Sequence, residues 1–134
     1  MMQQEHLLDF AQRYTCAWCS QDAASVAAFF ASDGTLAING GAPAVGRQAI
    51  TAVAQSFMTA FPDLCVAMKK VVASADGAEY HWELTGANTG PGGTGHRVNI
   101  TGYEFWRFGP DDLIAESLGS FDATQYQHQL GFGI

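Results

Sequence analysis

The sequence predicts a single α+β domain in which helices pack on one face of a curved, mostly antiparallel sheet. The main observation is a change of apolar period at Pro62, from three- and four-residue steps before it to two-residue steps after it. The first period is that of a helix and the second that of a strand, and helices followed by strands are typical of α+β folds. The length of 134 residues suits one domain over residues 1–134, and we find no repeat or linker.

Charge and hydropathy exclude several classes of function. Thirteen acidic and six basic residues give a net charge of −7, which opposes binding to nucleic acid or to anionic membranes. There is no apolar run long enough to cross a membrane, and the first residues, "MMQQEHLLDFAQRY", lack a basic start followed by an apolar core. We therefore expect a soluble, cytoplasmic protein. Only 14% of the residues are charged, so we expect a weakly polar surface or one covered by a partner chain.

Three helices are predicted before Pro62. The first spans residues 5–20, with an apolar face of Leu7, Phe10, Tyr14, Ala17 and Trp18. The second begins at Ser20 or Asp22 and runs to about Ala31, where "SDG" at 32–34 ends it, and a brief strand, 35–39, follows. After a Gly- and Pro-containing loop at 40–46, a third helix carries Ile50, Val53, Phe57 and Phe61 and stops at Pro62.

Four longer strands are predicted beyond Pro62, at 64–73, 78–87, 97–108 and 113–121. Asp76-Gly77 and "GPDD" at 109–112 suit the turns that connect them. The loop "NTGPGGTGH" lacks the spacing of a phosphate-binding loop. A final short helix begins at Asp122, and Gly131 is its expected C-terminal cap.

Alternation along the strands predicts a cluster of carboxylates. Glu104 lies on the more apolar face of 97–108, together with Trp106, and Tyr80 and Trp82 lie on the inward face of 78–85. The same rule places Ile114, Glu116, Leu118, Ser120 and Asp122 on one face of the last strand. Glu104, Glu116 and Asp122 are then expected to converge in one concavity. Aromatic walls should raise the pKa of a carboxyl there, as a general acid or base requires.

Each candidate also has a purely structural interpretation. Asp122 and Gln125 match a D-x-x-Q capping box, and Glu104 could be buried in a pair with an arginine. Tyr14 and Trp18 could be core residues, and the four histidines, which show no paired spacing, are expected on the surface or in loops.

The cysteines and the absence of nucleophile motifs limit the chemistry further. Cys16 and Cys19 form a C-x-x-C pair, but late in a helix, so we expect buried helix cysteines and not a redox centre. With Cys65 as the one other cysteine, no metal-ligand set is expected. There is no G-x-S-x-G motif and no evident Cys–His pair.

Several segments together resemble the nuclear transport factor 2-like superfamily, and within it the SnoaL-like polyketide cyclases. They are "FFASDGTLAING", "GRQAITAVAQSFMTAFPDL", "HWELTGANTGPGGTGHRVNITGYEFWRF" and "ESLGSFDATQYQHQLG". The resemblance implies a cone-shaped α+β barrel with a deep pocket for an apolar small molecule, and a homodimer formed through the sheet. It also implies an intramolecular aldol reaction with no metal or organic cofactor. In such cyclases an aspartate a few residues before the final "QLG" is the acid/base, and here that position looks like Asp122.

Two departures from relatives bear on the site. Relatives often carry His-Trp where this chain has Ser117-Leu118. The similar ketosteroid isomerases carry a base where this chain has Ile38-Asn39, whereas Glu104 looks like their buried acid. A missing base beside a matched acid argues against steroid isomerisation and leaves Asp122 as the leading base. We therefore expect Asp122 and Glu104 to be catalytic, and Tyr14, Trp18, Phe57, Trp82 and Trp106 to shape the pocket. A noncatalytic binding or dimerisation domain and an epoxide-hydrolase-like enzyme remain the alternatives.

Overall fold

A computed structural model describes residues 3–134 as four helices and six strands. The helices are α1 (Gln4–Cys19), α2 (Ala23–Ala27), α3 (Arg47–Ala60) and α4 (Ala123–Phe132). The strands are β1 (Phe30–Ile38), β2 (Ala44–Val45), β3 (Cys65–Ala73), β4 (Gly77–Ala87), β5 (Arg97–Phe108) and β6 (Ile114–Phe121). Among these helices none is both long and apolar enough to cross a membrane.

The strands form one curved sheet that stays unclosed, in the order β2-β1-β6-β5-β4-β3. Neighbours from β3 to β6 are antiparallel, while β1 runs parallel to β6 and carries β2 on its free side. The predicted architecture of helices on a curved, mostly antiparallel sheet is confirmed. The four long strands and the first and third helices lie within one or two residues of their predicted bounds.

The prediction for residues 28–34 is wrong. Helix α2 ends at Ala27, and β1 begins at Phe30, whose backbone pairs with Ile114. The register shifts between Phe30 and Thr35, so "SDG" forms an irregular part of the strand instead of a helix end. A Cβ at Gly34 would lie 2.8 Å from the Ile114 carbonyl oxygen, so this close approach of two strands requires glycine.

Two smaller features also differ from the prediction. The two-residue strand β2 lies inside the segment predicted to be only loop. Helix α4 continues through Gly131 and is capped instead by Gly133, whose φ of 82° is in the left-handed region that glycine favours.

Cys16 and Cys19 are exposed, so the expectation of buried helix cysteines is wrong, and Cys65 is exposed as well. The buried face of α1 consists of Leu7, Phe10, Ala11, Tyr14 and Ala17. Cys16 and Cys19 each follow a member of that face by two residues, a step of about 200° around a helix. They therefore lie outside the buried face of α1, Cys16 towards solvent and Cys19 against the edge strand β3.

A β-bulge in β6 reverses the predicted alternation of that strand. Arg107 pairs with Glu116 and Phe108 with Ile114, so Ala115 is an extra residue. Beyond the bulge, Ser117 is fully buried and Leu118 is 46% exposed. The prediction that Glu116 and Leu118 share the inward face with Ile114 is therefore wrong.

Candidate functional site

An apolar cavity lies between the helices and the concave face of the sheet. Its envelope is about 610 Å³ including the mouth, of which about 70 Å³ admits the centre of a water molecule. Five rings dominate its wall, from Trp18, Phe57, Tyr80, Trp82 and Phe121. The lining is completed by Gly119, by the polar residues Glu104 and Ser120, and by the aliphatic residues Leu36, Ile38, Val66, Leu84 and Ile100. Such a largely apolar concavity with few polar groups is typical of small-molecule sites.

Glu104 is the one carboxyl among the residues that line this cavity, and three donors hold it. Its Oε1 accepts hydrogen bonds from Ser117 Oγ at 2.6 Å, Trp106 Nε1 at 3.0 Å and Tyr14 Oη at 3.0 Å. Tyr14 Oη also lies 3.2 Å from Oε2. Oε1 is therefore saturated, and a proton on this carboxyl belongs on Oε2.

Burial raises the pKa of Glu104, while the hydrogen bonds from Ser117, Trp106 and Tyr14 lower it in part. The side chain is only 7% exposed, and no cation is among its partners. Desolvation disfavours the charged form of such a group. The net effect is a carboxyl that keeps its proton to higher pH than a solvated glutamate does. The alternative in which Glu104 pairs with an arginine is wrong, since its partners are neutral.

Each partner of Glu104 is placed by a simple local feature. Trp106 is two residues further along the same strand and therefore on the same face, and its ring stacks on Tyr80 at 4.7 Å between centroids. Tyr14 comes from the buried face of α1 and is fully buried. Burial also raises the pKa of Tyr14 well above its usual range, so its hydroxyl remains a donor. Ser117 reaches the carboxyl only because of the bulge at Ala115.

The rings of Trp82 and Phe121 form one wall of the cavity. Trp82 and Phe121 lie on the two strands that flank β5, and both pair with Gly102 of that strand. Their ring centroids are 6.1 Å apart. A Cβ at Gly102 would clash with the indole ring of Trp82 and with the Ser120 carbonyl oxygen. Glycine at this position therefore lets the indole lie across the strand.

Asp122 is an exposed helix cap outside this cavity. Its Oδ1 accepts a hydrogen bond from the Gln125 N–H at 2.9 Å, as the D-x-x-Q pattern predicts. It lines a second, open groove, which shares Trp82, Ser120 and Phe121 with the cavity. The other groove residues include Lys70, His81, Thr101 and Tyr103.

The predicted convergence of three carboxylates is therefore wrong. Glu104 lies in the cavity, Asp122 in the adjoining groove, and Glu116 on the outer face, where its Oε1 is 3.9 Å from Arg107 Nε. The bulge accounts for the position of Glu116. The end of β6 accounts for that of Asp122, because its backbone already leaves the strand to start α4.

The predicted aromatic residues divide into two groups. Trp18, Phe57 and Trp82 line the cavity, while Tyr14 and Trp106 lie behind it and contact Glu104. Sequence reasoning missed Ser117 and Phe121 as site residues. No feature of the sequence predicts that Ser117 faces inward, since strict alternation assigns it to the other face of the strand.

Comparison with known proteins gives a family match and a fold match. A family model described as a SnoaL-like domain matches residues 11–117. No curated protein matches the chain significantly.

Solved structures with the same fold have low sequence identity to this chain. A hypothetical protein of Catenulispora acidiphila with a ketosteroid isomerase-like fold, in complex with trimethylamine, is 17% identical, with 92% of each chain covered and a TM-score of 0.80. A putative SnoaL-like polyketide cyclase from a Jannaschia species is 15% identical over 95% of this chain and 92% of that one, with a TM-score of 0.80. The epoxide hydrolase/cyclase-like enzyme SalBIII of salinomycin pyran-ring formation is 18% identical over 92% of this chain and 97% of its own, with a TM-score of 0.78. These matches establish the fold.

Proposed function

The chain belongs to the SnoaL-like domain family, and on that premise we propose that it is a polyketide-cyclase-like enzyme or a related lyase or isomerase. Its substrate would be an apolar, carbonyl-bearing small molecule, and its catalysis would be acid/base chemistry without a cofactor. The observation that carries this proposal is the buried, hydrogen-bonded Glu104 carboxyl in a cavity with an apolar wall.

Glu104 would act as the acid. In its neutral form, Oε2–H donates a hydrogen bond to a substrate carbonyl oxygen, because Oε1 is occupied by three donors. This bond strengthens as negative charge develops on that oxygen in an enolate. The surrounding rings exclude water, which makes the interaction stronger than it would be in solvent.

Asp122 would act as the base. It takes a proton from the carbon alpha to the carbonyl, the resulting enolate carbon attacks a second carbonyl of the same molecule, and the new alkoxide is protonated. The sum is an isomerisation that needs no other reagent. Because Asp122 lies in the groove, this role requires a substrate that extends from the cavity past Phe121 into the groove.

A thermal-shift screen of carbonyl metabolites, followed by turnover measurements on a hit, tests this mechanism. We expect Asp122→Asn and Glu104→Gln each to lower kcat by roughly 100-fold or more, as loss of a positioned acid or base does. Glu116→Gln, which removes a carboxyl from the outer face of the sheet, is the matched control and should keep its turnover. Full turnover by Asp122→Asn would remove Asp122 from the mechanism, and full turnover by Glu104→Gln would remove the acid.

A noncatalytic binding domain is the second candidate, and one observation favours it. Among the described residues that line the cavity, Glu104 is the one titratable carboxyl, so an acid and a base do not meet inside it. A hit that raises Tm, remains chemically unchanged after long incubation, and loses affinity in Trp18→Ala would support this candidate over the enzyme.

An epoxide-hydrolase-like reaction is disfavoured. It needs an arginine beside paired carboxylates, but Arg97 Nη1 lies 3.4 Å from Asp63 Oδ2 and Arg107 faces Glu116. No arginine is among the described cavity residues.

We also propose that two copies pair through the outer face of the sheet. Phe105 is 45% exposed and Leu118 46% exposed on adjacent strands there, which supports an interface. Light scattering should then give twice the chain mass for the protein, and the monomer mass for Leu118→Asp. Val45→Asp, at a 63% exposed position of β2, is the control that should stay dimeric. A monomeric wild-type protein would refute this interface.

A further inference from the structure

The exposed cysteines form a cluster that the proposed acid/base chemistry does not use. Cys16 and Cys19 lie in the last part of α1, and Cys65 is the first residue of β3. All three are exposed free thiols. Strand β3 is at the edge of the sheet, and α1 packs beside it.

The Cys19 thiol is held against the backbone of β3. Its Sγ accepts a hydrogen bond from Val66 N–H at 3.2 Å and donates one to the Val66 carbonyl oxygen at 3.3 Å. These two backbone groups belong to an edge strand, where they would otherwise depend on water. The position of the sulfur is therefore defined by two bonds and not by the helix alone.

This placement brings Cys19 close to Cys65. The Val66 nitrogen is separated from the Cys65 Cα by one carbonyl carbon, which is about 2.4 Å by standard geometry. Added to the 3.2 Å of the hydrogen bond, this puts Cys19 Sγ within about 5.6 Å of the Cys65 Cα. The Cys65 side chain starts at that Cα, and, besides burial, a hydrogen bond between the two side chains is among the causes that raise the pKa of Cys19, so the two thiols are neighbours.

We propose that Cys19 and Cys65 are a reversible modification site that forms an intramolecular disulfide by exchange with a small-molecule disulfide such as glutathione disulfide. The Cys65 thiolate attacks one sulfur of the reagent, forms a mixed disulfide and releases one thiol. The Cys19 thiolate then attacks the Cys65 sulfur and releases the second thiol. Two protein thiols are oxidised and one disulfide is reduced to two thiols, so electrons and protons balance.

The order of the two steps follows from the environments of the thiols. Burial raises the pKa of Cys19, the Val66 hydrogen bond lowers it in part, and the Cys65 and Cys16 side chains raise it further. Cys19 is therefore the poorer first nucleophile. Once Cys65 carries the mixed disulfide, Cys19 is the thiol already fixed beside it.

The disulfide would join two walls of the cavity. Trp18 precedes Cys19, Val66 follows Cys65, and both line the cavity. Oxidation would thus fix the distance between α1 and the edge strand at that wall. This proposal does not depend on whether the cavity is catalytic.

Treatment of the full-length native protein with glutathione disulfide, followed by intact-mass analysis and peptide mapping, tests the site. We expect the loss of two hydrogens, about 2 Da, with no glutathione retained. Mapping should link Cys19 to Cys65. Because the bond closes a loop of about 46 residues, Tm should rise by roughly 10 °C and return to its starting value with a reducing thiol.

Single variants separate this pair from the C-x-x-C pair. Cys16→Ser should behave as the wild-type protein does, whereas Cys19→Ser and Cys65→Ser should each retain glutathione and show no Tm gain. Before oxidation, Cys16→Ser and Cys65→Ser should have the Tm of the reduced wild-type protein because both positions are exposed, and the Cys19→Ser hydroxyl can keep the two bonds to Val66. A wild-type protein that retains glutathione without an internal bond would overturn the proposal, and so would a bond between Cys16 and Cys19.

Discussion

Replacing Glu104 by glutamine tests the electrostatics of the cavity directly. Glutamine keeps the size of the side chain, and its carbonyl oxygen can accept the bonds that Ser117, Trp106 and Tyr14 now donate to Oε1. Its amide nitrogen then lies where Oε2 carries the proton of neutral Glu104. The variant therefore mimics the protonated state of Glu104 at every pH. At pH 4 its free energy of unfolding should lie within about 1 kcal/mol of that of the wild type.

The difference between the two proteins should grow with pH. Burial raises the pKa of Glu104 in the folded protein, while in the unfolded chain it should be about 4.3. Between the unfolded and the folded pKa, Glu104 is protonated in the folded state but ionised in the unfolded chain. The free energy of unfolding of the wild type therefore falls as pH rises, by about 1.4 kcal/mol per pH unit. The fall stops above the folded pKa. Because the glutamine side chain in Glu104→Gln cannot ionise, the variant should become the more stable protein across this window.

Urea denaturation of both proteins at half-unit steps from pH 4 to pH 8 measures the effect as a difference in free energy of unfolding. Glu116→Gln is the matched control, since it removes a carboxyl from the outer face of the same sheet and should retain the wild-type pH trend. A difference between wild type and Glu104→Gln that is flat with pH would refute the reasoning. A wild type that gains stability over the variant as pH rises would show that the three donors outweigh desolvation.

Substitutions at four further sites have defined outcomes in the same denaturation assay. Ser117→Ala removes one donor to Glu104 and should cost about 1–3 kcal/mol. It should also raise the pKa of Glu104 further, so that the stability of this variant keeps falling to a higher pH than that of the wild type. A loss of stability that is the same at every pH would contradict this prediction. Gly102→Ala should cost about 1–3 kcal/mol because the added methyl meets backbone as well as an indole ring. Gly131→Ala, helical and with open space around it, should instead gain up to about 1 kcal/mol, and a loss there would refute this contrast. Asp122→Ala removes the cap of α4 and should cost about 1 kcal/mol, so an unchanged stability would argue against capping.

Apolar periodicity predicted most of the fold because it reflects burial directly. The long helices and strands have one buried face over nine or more residues, and the period is then clear. Residues 28–34 lack that clarity, since Phe29 and Phe30 suit either a helix face or the start of a strand. Their pairing with Ile114, far along the chain, decides between the two.

The candidate site was predicted only in part because it depends on irregularities. Regular alternation was enough to place Glu104, Tyr80 and Trp82 on the inward face. It failed in β6, where nothing in "LIAESLGSF" marks Ala115 as the extra residue of a bulge. Asp122 was predicted both to cap a helix and to face the pocket, and the structure places it at the cap and in the adjoining groove.

The bulge also determines what chemistry the cavity supports. Without it, Glu116 would face inward in place of Ser117, next to Glu104. Two carboxylates in one apolar cavity repel when both ionise, so they would share a proton and titrate as a pair. The bulge replaces that arrangement with a neutral hydroxyl donor 2.6 Å from Oε1. The cavity therefore holds a single carboxyl, whose proton is directed to Oε2, and the proposed base Asp122 lies outside the ring wall of Trp82 and Phe121.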